Sequence, residues 1–193
     1  MENTPTTTRK TAVITGASKG IGLGLATFFA AKGINVAGIS RSLPQSNPSP
    51  SIKHYSGDVT DHRALQNITK TIVDDWGQID LWINNAGVLG PILPFRNMDP
   101  NDFKTHIGIN LFGVMNGSSV FINHLRQTNQ SKGILINISS GAARNPYEGW
   151  SAYCSGKSAV DRFTEVIALE EKASGLRCHS VAPGIIDLSL IHI

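Results

Sequence analysis

The segment Thr11–Thr15, TAVIT, is largely apolar and runs straight into Gly16-Ala17-Ser18-Lys19-Gly20-Ile21-Gly22, after which Ile21, Leu25, Phe28 and Phe29 recur at helical spacing. A strand that is apolar on both faces has to be covered on both, which is the situation of a central strand in a parallel sheet. The same alternation continues along the chain. Ile34–Ser40, Ile52–Tyr55, Asp80–Asn84, Gly133–Ile138 and Leu176–Val181 read as further strands. Leu65, Ile68, Ile72 and Trp76 form a helical stripe capped by Thr60 or Asp61. Asp99-Pro100 is an N-cap and first-turn pair for a helix that carries Phe103, Ile107, Leu111, Val114, Phe121 and Leu125 and continues to Gln127. The last helix spans Ala152–Ala173, with Val160, Phe163 and Ile167 turned inward. This pattern predicts an α/β fold with a doubly wound parallel sheet. One connection departs from it: Arg41–Ser51, RSLPQSNPSPS, holds three prolines and no apolar period, so a loop is expected in place of a crossover helix.

A chain of 193 residues is long enough to bury a core without disulfide or metal support. Cys154 and Cys178 have no metal-ligand spacing and read as two reduced thiols of a cytoplasmic protein, with no metal site. The net charge of +3 is small and scattered, which argues against a nucleic-acid partner. No apolar run approaches a membrane span, and MENTPTTTRK lacks the apolar stretch of a secretory leader, so residues 1–9 read as a polar tail.

The glycine-rich turn lies between a buried strand and an amphipathic helix. There glycines permit a tight turn, and backbone N–H groups at the positive helix end approach a pyrophosphate. Glycines also populate ordinary turns, and it is this placement that favours a bound phosphate. The spacing GxxxGxG resembles the fingerprint of the short-chain dehydrogenase/reductase family, and other motifs follow in the family's order. Asn84-Asn85-Ala86-Gly87 follows the fourth strand, Asn110 lies in the next helix, and Ser140 follows the fifth strand. Tyr153-xxx-Lys157 comes thirteen residues after Ser140, and Pro183-Gly184 follows the sixth strand. The resemblance covers Thr11 to Asp187 and implies a Rossmann-type sheet with strand order 3-2-1-4-5-6 and an oxidoreductase with a nicotinamide cofactor. It places Gly16, Ser18, Lys19, Gly20, Ile21 and Gly22 on the phosphates, and Asn85, Ala86, Gly87, Pro183, Gly184 and Ile186 along the rest of the cofactor. Asp58-Val59 is similar to the family's adenine-contacting pair, although Asp58 equally suits a turn or cap.

No carboxylate ends the second strand, where NAD enzymes of this plan place one for the ribose hydroxyls. Arg41 stands there instead, and its guanidinium matches the oxygens of a 2′-phosphate. With Lys19 it points to NADP(H), and both residues otherwise read as solvated charges.

Tyr153 and Lys157 share one helix face at four-residue spacing. A free phenol, with pKa near ~10, cycles its proton poorly at neutral pH, and a neighbouring ammonium favours the phenolate. Tyr153 is therefore the expected proton donor to a carbonyl oxygen that receives hydride at its carbon, with Ser140 bonding the oxygen as charge develops. The resemblance selects Ser140 over Ser139, gives Lys157 a bond to the nicotinamide ribose, and gives Asn110 a water-mediated proton relay. His54, His106, His124 and His179 have no partner visible in the sequence and read as structural or exposed.

Between Ser140 and Tyr153, GAARNPYEGWSA is expected to line the pocket. This stretch is similar to that of benzil- and sepiapterin-reductase-like members, which implies a small ketone or diketone substrate. Tyr147 and Trp150 either stack on such a substrate or pack the loop against the core. The alternatives are a 3-oxoacyl-thioester reductase, a secondary-alcohol dehydrogenase, or a non-catalytic NADP-binding sensor. The last has no use for the tyrosine and lysine. Homo-oligomers through the two long helices are a family expectation.

After Asp187 the family continues with a substrate-covering segment and a final edge strand. Here Leu188–Ile193 match the translation of CTGTCTCTTATACACATC, which resembles a sequencing-library adapter. The expectation is a single domain over 10–187, a non-native tail over 188–193, and an absent last strand.

Overall fold

A computed structural model describes residues 9–44 and 46–184. Ile186 and the expectations for 1–8 and 188–193 lie outside the described residues. Six parallel strands form one sheet in the order β3-β2-β1-β4-β5-β6. They are β1 (Thr11–Thr15), β2 (Asn35–Ser40), β3 (Ile52–Ser56), β4 (Leu81–Asn84), β5 (Gly133–Ile138) and β6 (Leu176–Val181). Val13 stands opposite Ala37 on β2 and Trp82 on β4, and the central strands are largely apolar because both their faces are covered.

The helices are α1 (Gly20–Ala31), α2 (His62–Trp76), α3 (Pro100–Ile107), α4 (Gly113–Gln127) and α5 (Ser151–Glu170). One face of the sheet packs on α2, α4 and α5 through Leu65, Ile72, Trp82, Phe121, Leu125, Leu135 and Ile167. Trp82 and Phe121 stack with ring centroids 6.0 Å apart. The other face packs on α1 through Ile14, Ala26, Ala30, Val36 and Ile52. Asp61, rather than Thr60, caps α2 by accepting from the Ala64 N–H at 2.9 Å, and Asp99 caps α3 by accepting from the Asn101 N–H at 2.7 Å. The Arg41–Ser51 segment is irregular where described, as its prolines require.

Two expectations need correction. Phe28 does not face the core but is 56% exposed, because the small residues Gly22, Ala26 and Ala30 form the contact stripe of α1. The expected single helix to Gln127 is interrupted by a π turn, Gly108–Phe112, between α3 and α4. Of the two alternatives left open for the histidines, His106 and His124 take the structural one, buried and partnered: the Ile79 N–H donates to His124 Nε2 at 3.3 Å, and His106 contacts Asn110. Both cysteines are free thiols. Among the described residues, no helix is long and apolar enough to cross a membrane.

Candidate active site

The C-terminal ends of β1, β4 and β5 converge at the point where strand order reverses, the usual ligand crevice of such sheets. The glycine turn is shaped for close approach. Gly16 has φ +69°, and a Cβ there would lie 2.8 Å from the Ala86 Cα. A Cβ at Gly22 would collide with the Gly16 carbonyl oxygen. Thr15 and Asn85 hold this turn against β4. The N–H groups of Asn85 and Ala86 donate to Thr15 Oγ1 at 3.0 and 3.1 Å, and Asn85 Nδ2 donates to the carbonyls of Thr15 and Gly16 at 2.9 and 3.2 Å. The amide of Asn85 thus braces the turn.

Lys19 is the N-cap residue of α1 and Arg41 follows β2; both are exposed, and neither forms an ion pair among the described residues. A cradle closed to any Cβ, at a helix N-terminus with two cations at its rim, fits the phosphates of a dinucleotide. Asp58 Oδ1 accepts from the N–H and hydroxyl of Thr60 at 2.9 and 2.8 Å, so one oxygen serves the turn. The Thr60 N–H is the main reason its carboxyl titrates below the usual range, with Arg41 helping and burial opposing. Val59 is buried against Gly113, and its carbonyl accepts from Asn116 Nδ2 at 2.9 Å, tying the β3–α2 corner to α4.

Beyond β5, Ser140 caps a short turn, Gly141–Ala143, and its hydroxyl accepts from the Ala142 N–H at 3.2 Å. Burial pushes the Tyr153 phenol above its ordinary value, and the nearby Ser140 hydroxyl, which favours the phenolate, opposes this only in part. Ser139 is buried with its hydroxyl unpaired. Lys157 is buried; its ammonium donates to the Ile138 carbonyl at 2.7 Å and lies 5.6 Å from the Tyr153 ring centroid. Burial pushes this lysine down to about 8, opposed by Asp161. The net shift of the phenol is therefore opposite to the expected depression: desolvation wins.

The π turn carries Asn110, which is fully buried. Its Nδ2 donates to the Val88 carbonyl at 2.8 Å, and its Oδ1 accepts from the Val88 N–H at 3.0 Å. A π turn inserts one residue into the helical ladder and often marks a functional site. His106 bridges this group to Tyr153, its ring at 5.9 Å and 83° to the phenol ring. Tyr147, Trp150 and Tyr153 form a chain of aromatic contacts at 5.1 and 5.6 Å. Tyr147 is exposed, and the Leu93 N–H donates to the Gly149 carbonyl at 3.1 Å, bringing the β4–α3 loop against this wall. Pro183 and Gly184 follow β6, Gly184 with φ +79°.

Sequence reasoning missed a buried amide network. Trp82 Nε1 donates to Asn84 Oδ1 at 2.8 Å, and Asn84 Nδ2 donates to Asn137 Oδ1 at 2.8 Å. Asn137 Nδ2 then donates to Thr164 Oγ1 at 2.9 Å, linking β4, β5 and α5. The available signal was an asparagine on each of two otherwise apolar strands, since buried amides must be paired.

A parallel doubly wound sheet with a glycine cradle and a serine, tyrosine and lysine at its C-terminal edge defines a dinucleotide-dependent oxidoreductase. The family model described as short chain dehydrogenase matches residues 10–192, and the chain belongs to that family. A benzil reductase ((S)-benzoin forming) of Bacillus cereus is 36% identical over 192 residues, covering 92% of this chain and 76% of that protein. Its counterpart of the same name from Bacillus subtilis is 32% identical, covering 92% and 75%. Among solved structures, ElxO with NADP bound superposes with a TM-score of 0.86 at 30% identity, covering 93% of this chain and 75% of that one. The ligand-free aldohexose dehydrogenase of Thermoplasma acidophilum gives 0.85 at 31%, covering 93% and 68%.

Proposed function

We propose that the protein reduces the carbonyl of a small ketone or diketone with NADPH, and that Tyr153 is the proton donor. The observation that carries this reading is the buried Lys157 ammonium 5.6 Å from the Tyr153 ring centroid, with Ser140 nearby and an aromatic, partly exposed wall beside them. NADPH, when bound, supplies hydride to the carbonyl carbon. Gly16, Ser18, Lys19, Gly20, Ile21 and Gly22 would hold its phosphates and Arg41 its 2′-phosphate, with Asp58 and Val59 at the adenine. Asn85, Ala86, Gly87, Pro183, Gly184 and Ile186 would line the remainder, and Lys157 would reach the ribose. The benzil reductase relatives and the NADP-bound neighbour support this choice of substrate and cofactor.

At the carbonyl oxygen, Ser140 donates a hydrogen bond as negative charge builds, and Tyr153 passes its proton to that oxygen. A phenol raised by burial holds its proton until a strong acceptor forms, which suits a general acid. The Lys157 ammonium offsets the charge of the tyrosinate left behind. Tyr147 and Trp150 shield the site and offer a flat face to an aryl ketone. Apolar Met115, Val166 and Leu169 are exposed on α4 and α5, consistent with assembly through these helices. A second reading, oxidation of a secondary alcohol by the same residues, draws on the similarity to aldohexose dehydrogenase.

A panel of aryl 1,2-diketones, simple ketones, 3-oxoacyl thioesters and sugars, each with NADPH and NADH or their oxidised forms, tests the proposal. Diketone-dependent oxidation of NADPH is expected to be fastest. Sugar oxidation with no ketone reduction would reject it in favour of the second reading.

A further inference from the structure

His106 is nearly inaccessible to solvent and sits on the last turn of α3, four residues before Asn110. A core position of this kind is ordinarily apolar, because burying two imidazole nitrogens is unfavourable unless they are paired. The ring meets two of the groups read as the reaction machinery. It stands edge-to-face on Tyr153, with centroids 5.9 Å apart and planes at 83°. Asn110 Nδ2 is 2.9 Å from its Nδ1 and 3.1 Å from its Nε2. The same carboxamide is clamped to the backbone of Val88, in the loop after Gly87. His106 is thus the side chain through which the Asn110 group and the Tyr153 ring touch.

We propose that His106 is a positioning residue, a neutral imidazole that holds the Asn110 carboxamide and the Tyr153 ring in one fixed arrangement for proton transfer. The inference rests on the reading of Tyr153 as the proton donor. An amide N–H is held by the imidazole only where a ring nitrogen keeps its lone pair, and the neutral ring has one such nitrogen while the imidazolium has none. Several groups around the ring bear on its charge. Burial is the largest influence and favours the neutral form; the Leu89 carbonyl opposes it, the Lys157 ammonium on α5 reinforces it, and the Val88 carbonyl opposes it. Tyr153 on α5 and Asn110 on its own side complete the surroundings. Protonation would put a second cation beside Lys157 and turn the lone pair that Asn110 uses into a donor. The arrangement then opens, and turnover falls on the acid side, below the ordinary histidine value of 6.5.

His106→Phe keeps an aromatic ring against Tyr153 but removes the acceptor. His106→Gln keeps an acceptor and a donor but cannot titrate. With an aryl diketone and saturating NADPH, the Phe variant is expected to lose roughly tenfold or more in kcat, with the Kd for NADPH unchanged within about twofold. The Gln variant is expected to recover most of kcat and to lack the acid limb of the wild type. Wild-type kcat in the Phe variant, or an unaltered acid limb in the Gln variant, would overturn the proposal. If the Phe variant melts too low to assay, the Gln profile decides alone. Tyr153→Phe is the control: if it is inactive while both His106 variants match the wild type, only this inference fails, and if it is fully active, the site reading fails and this inference with it.

Discussion

Lys157 places a titratable charge where the fold pays for it. Its ammonium is buried, with a pKa lowered from 10.5 to about 8, and burial is the main cause. That drop corresponds to about 3 kcal/mol of preference for the neutral form in the folded state. Below pH 8 both folded and unfolded chains carry the proton, so the full penalty stands at pH 7. Between pH 8 and 10.5 the unfolded chain keeps the proton and the folded chain has lost it, so stability rises with pH across that window. Lys157→Met removes the charge and also the hydrogen bond to the Ile138 carbonyl, a loss of about 1 kcal/mol. The variant should therefore be about 2 kcal/mol more stable than the wild type at pH 7, raising Tm by roughly 4–8 °C, while losing turnover. The gap should narrow by about 2 kcal/mol between pH 8 and 9.5. Urea denaturation of both proteins without cofactor, at pH 7, 8 and 9.5, measures it. A Met variant less stable than the wild type at pH 7, or a gap that does not move with pH, would refute the reasoning.

Two further outcomes follow from the geometry. Arg41→Ala should weaken NADPH binding roughly tenfold and leave NADH unchanged, as measured by cofactor fluorescence, because one charge-assisted contact to the 2′-phosphate is lost; equal effects on both cofactors would count against that contact. Asn84→Leu leaves the Trp82 N–H and the Asn137 Oδ1 buried without their partner, a loss of about 4 kcal/mol, so Tm should drop by roughly 10 °C. A drop below about 3 °C would show that the network reorganises.

The parallel, doubly wound sheet and the position of the glycine turn were legible because apolar runs such as Thr11–Thr15 and Gly133–Ile138 must be covered on both faces, and glycines in a strand-to-helix turn have a steric reason to be there, while the strand order came with the family resemblance. The π turn was not legible: the apolar spacing from Phe103 to Leu125 reads as one helix, and the bonds between Asn110 and Val88 form only in the folded chain. His106 was hidden for the same reason, since its partners Tyr153 and Val88 lie far from it in the chain. Tyr153 and Lys157 were evident as a pair, but the balance of desolvation against charge is set by tertiary packing. Spacing said they share a face; burial says the phenol rises and the ammonium falls.

The central claim is that Tyr153 delivers the proton, and its most direct test is single-turnover reduction of an aryl diketone by wild type and Tyr153→Phe, both loaded with NADPH. The Phe variant should bind NADPH as tightly as the wild type and oxidise it at least ~100-fold more slowly. Oxidation at the wild-type rate would contradict the account.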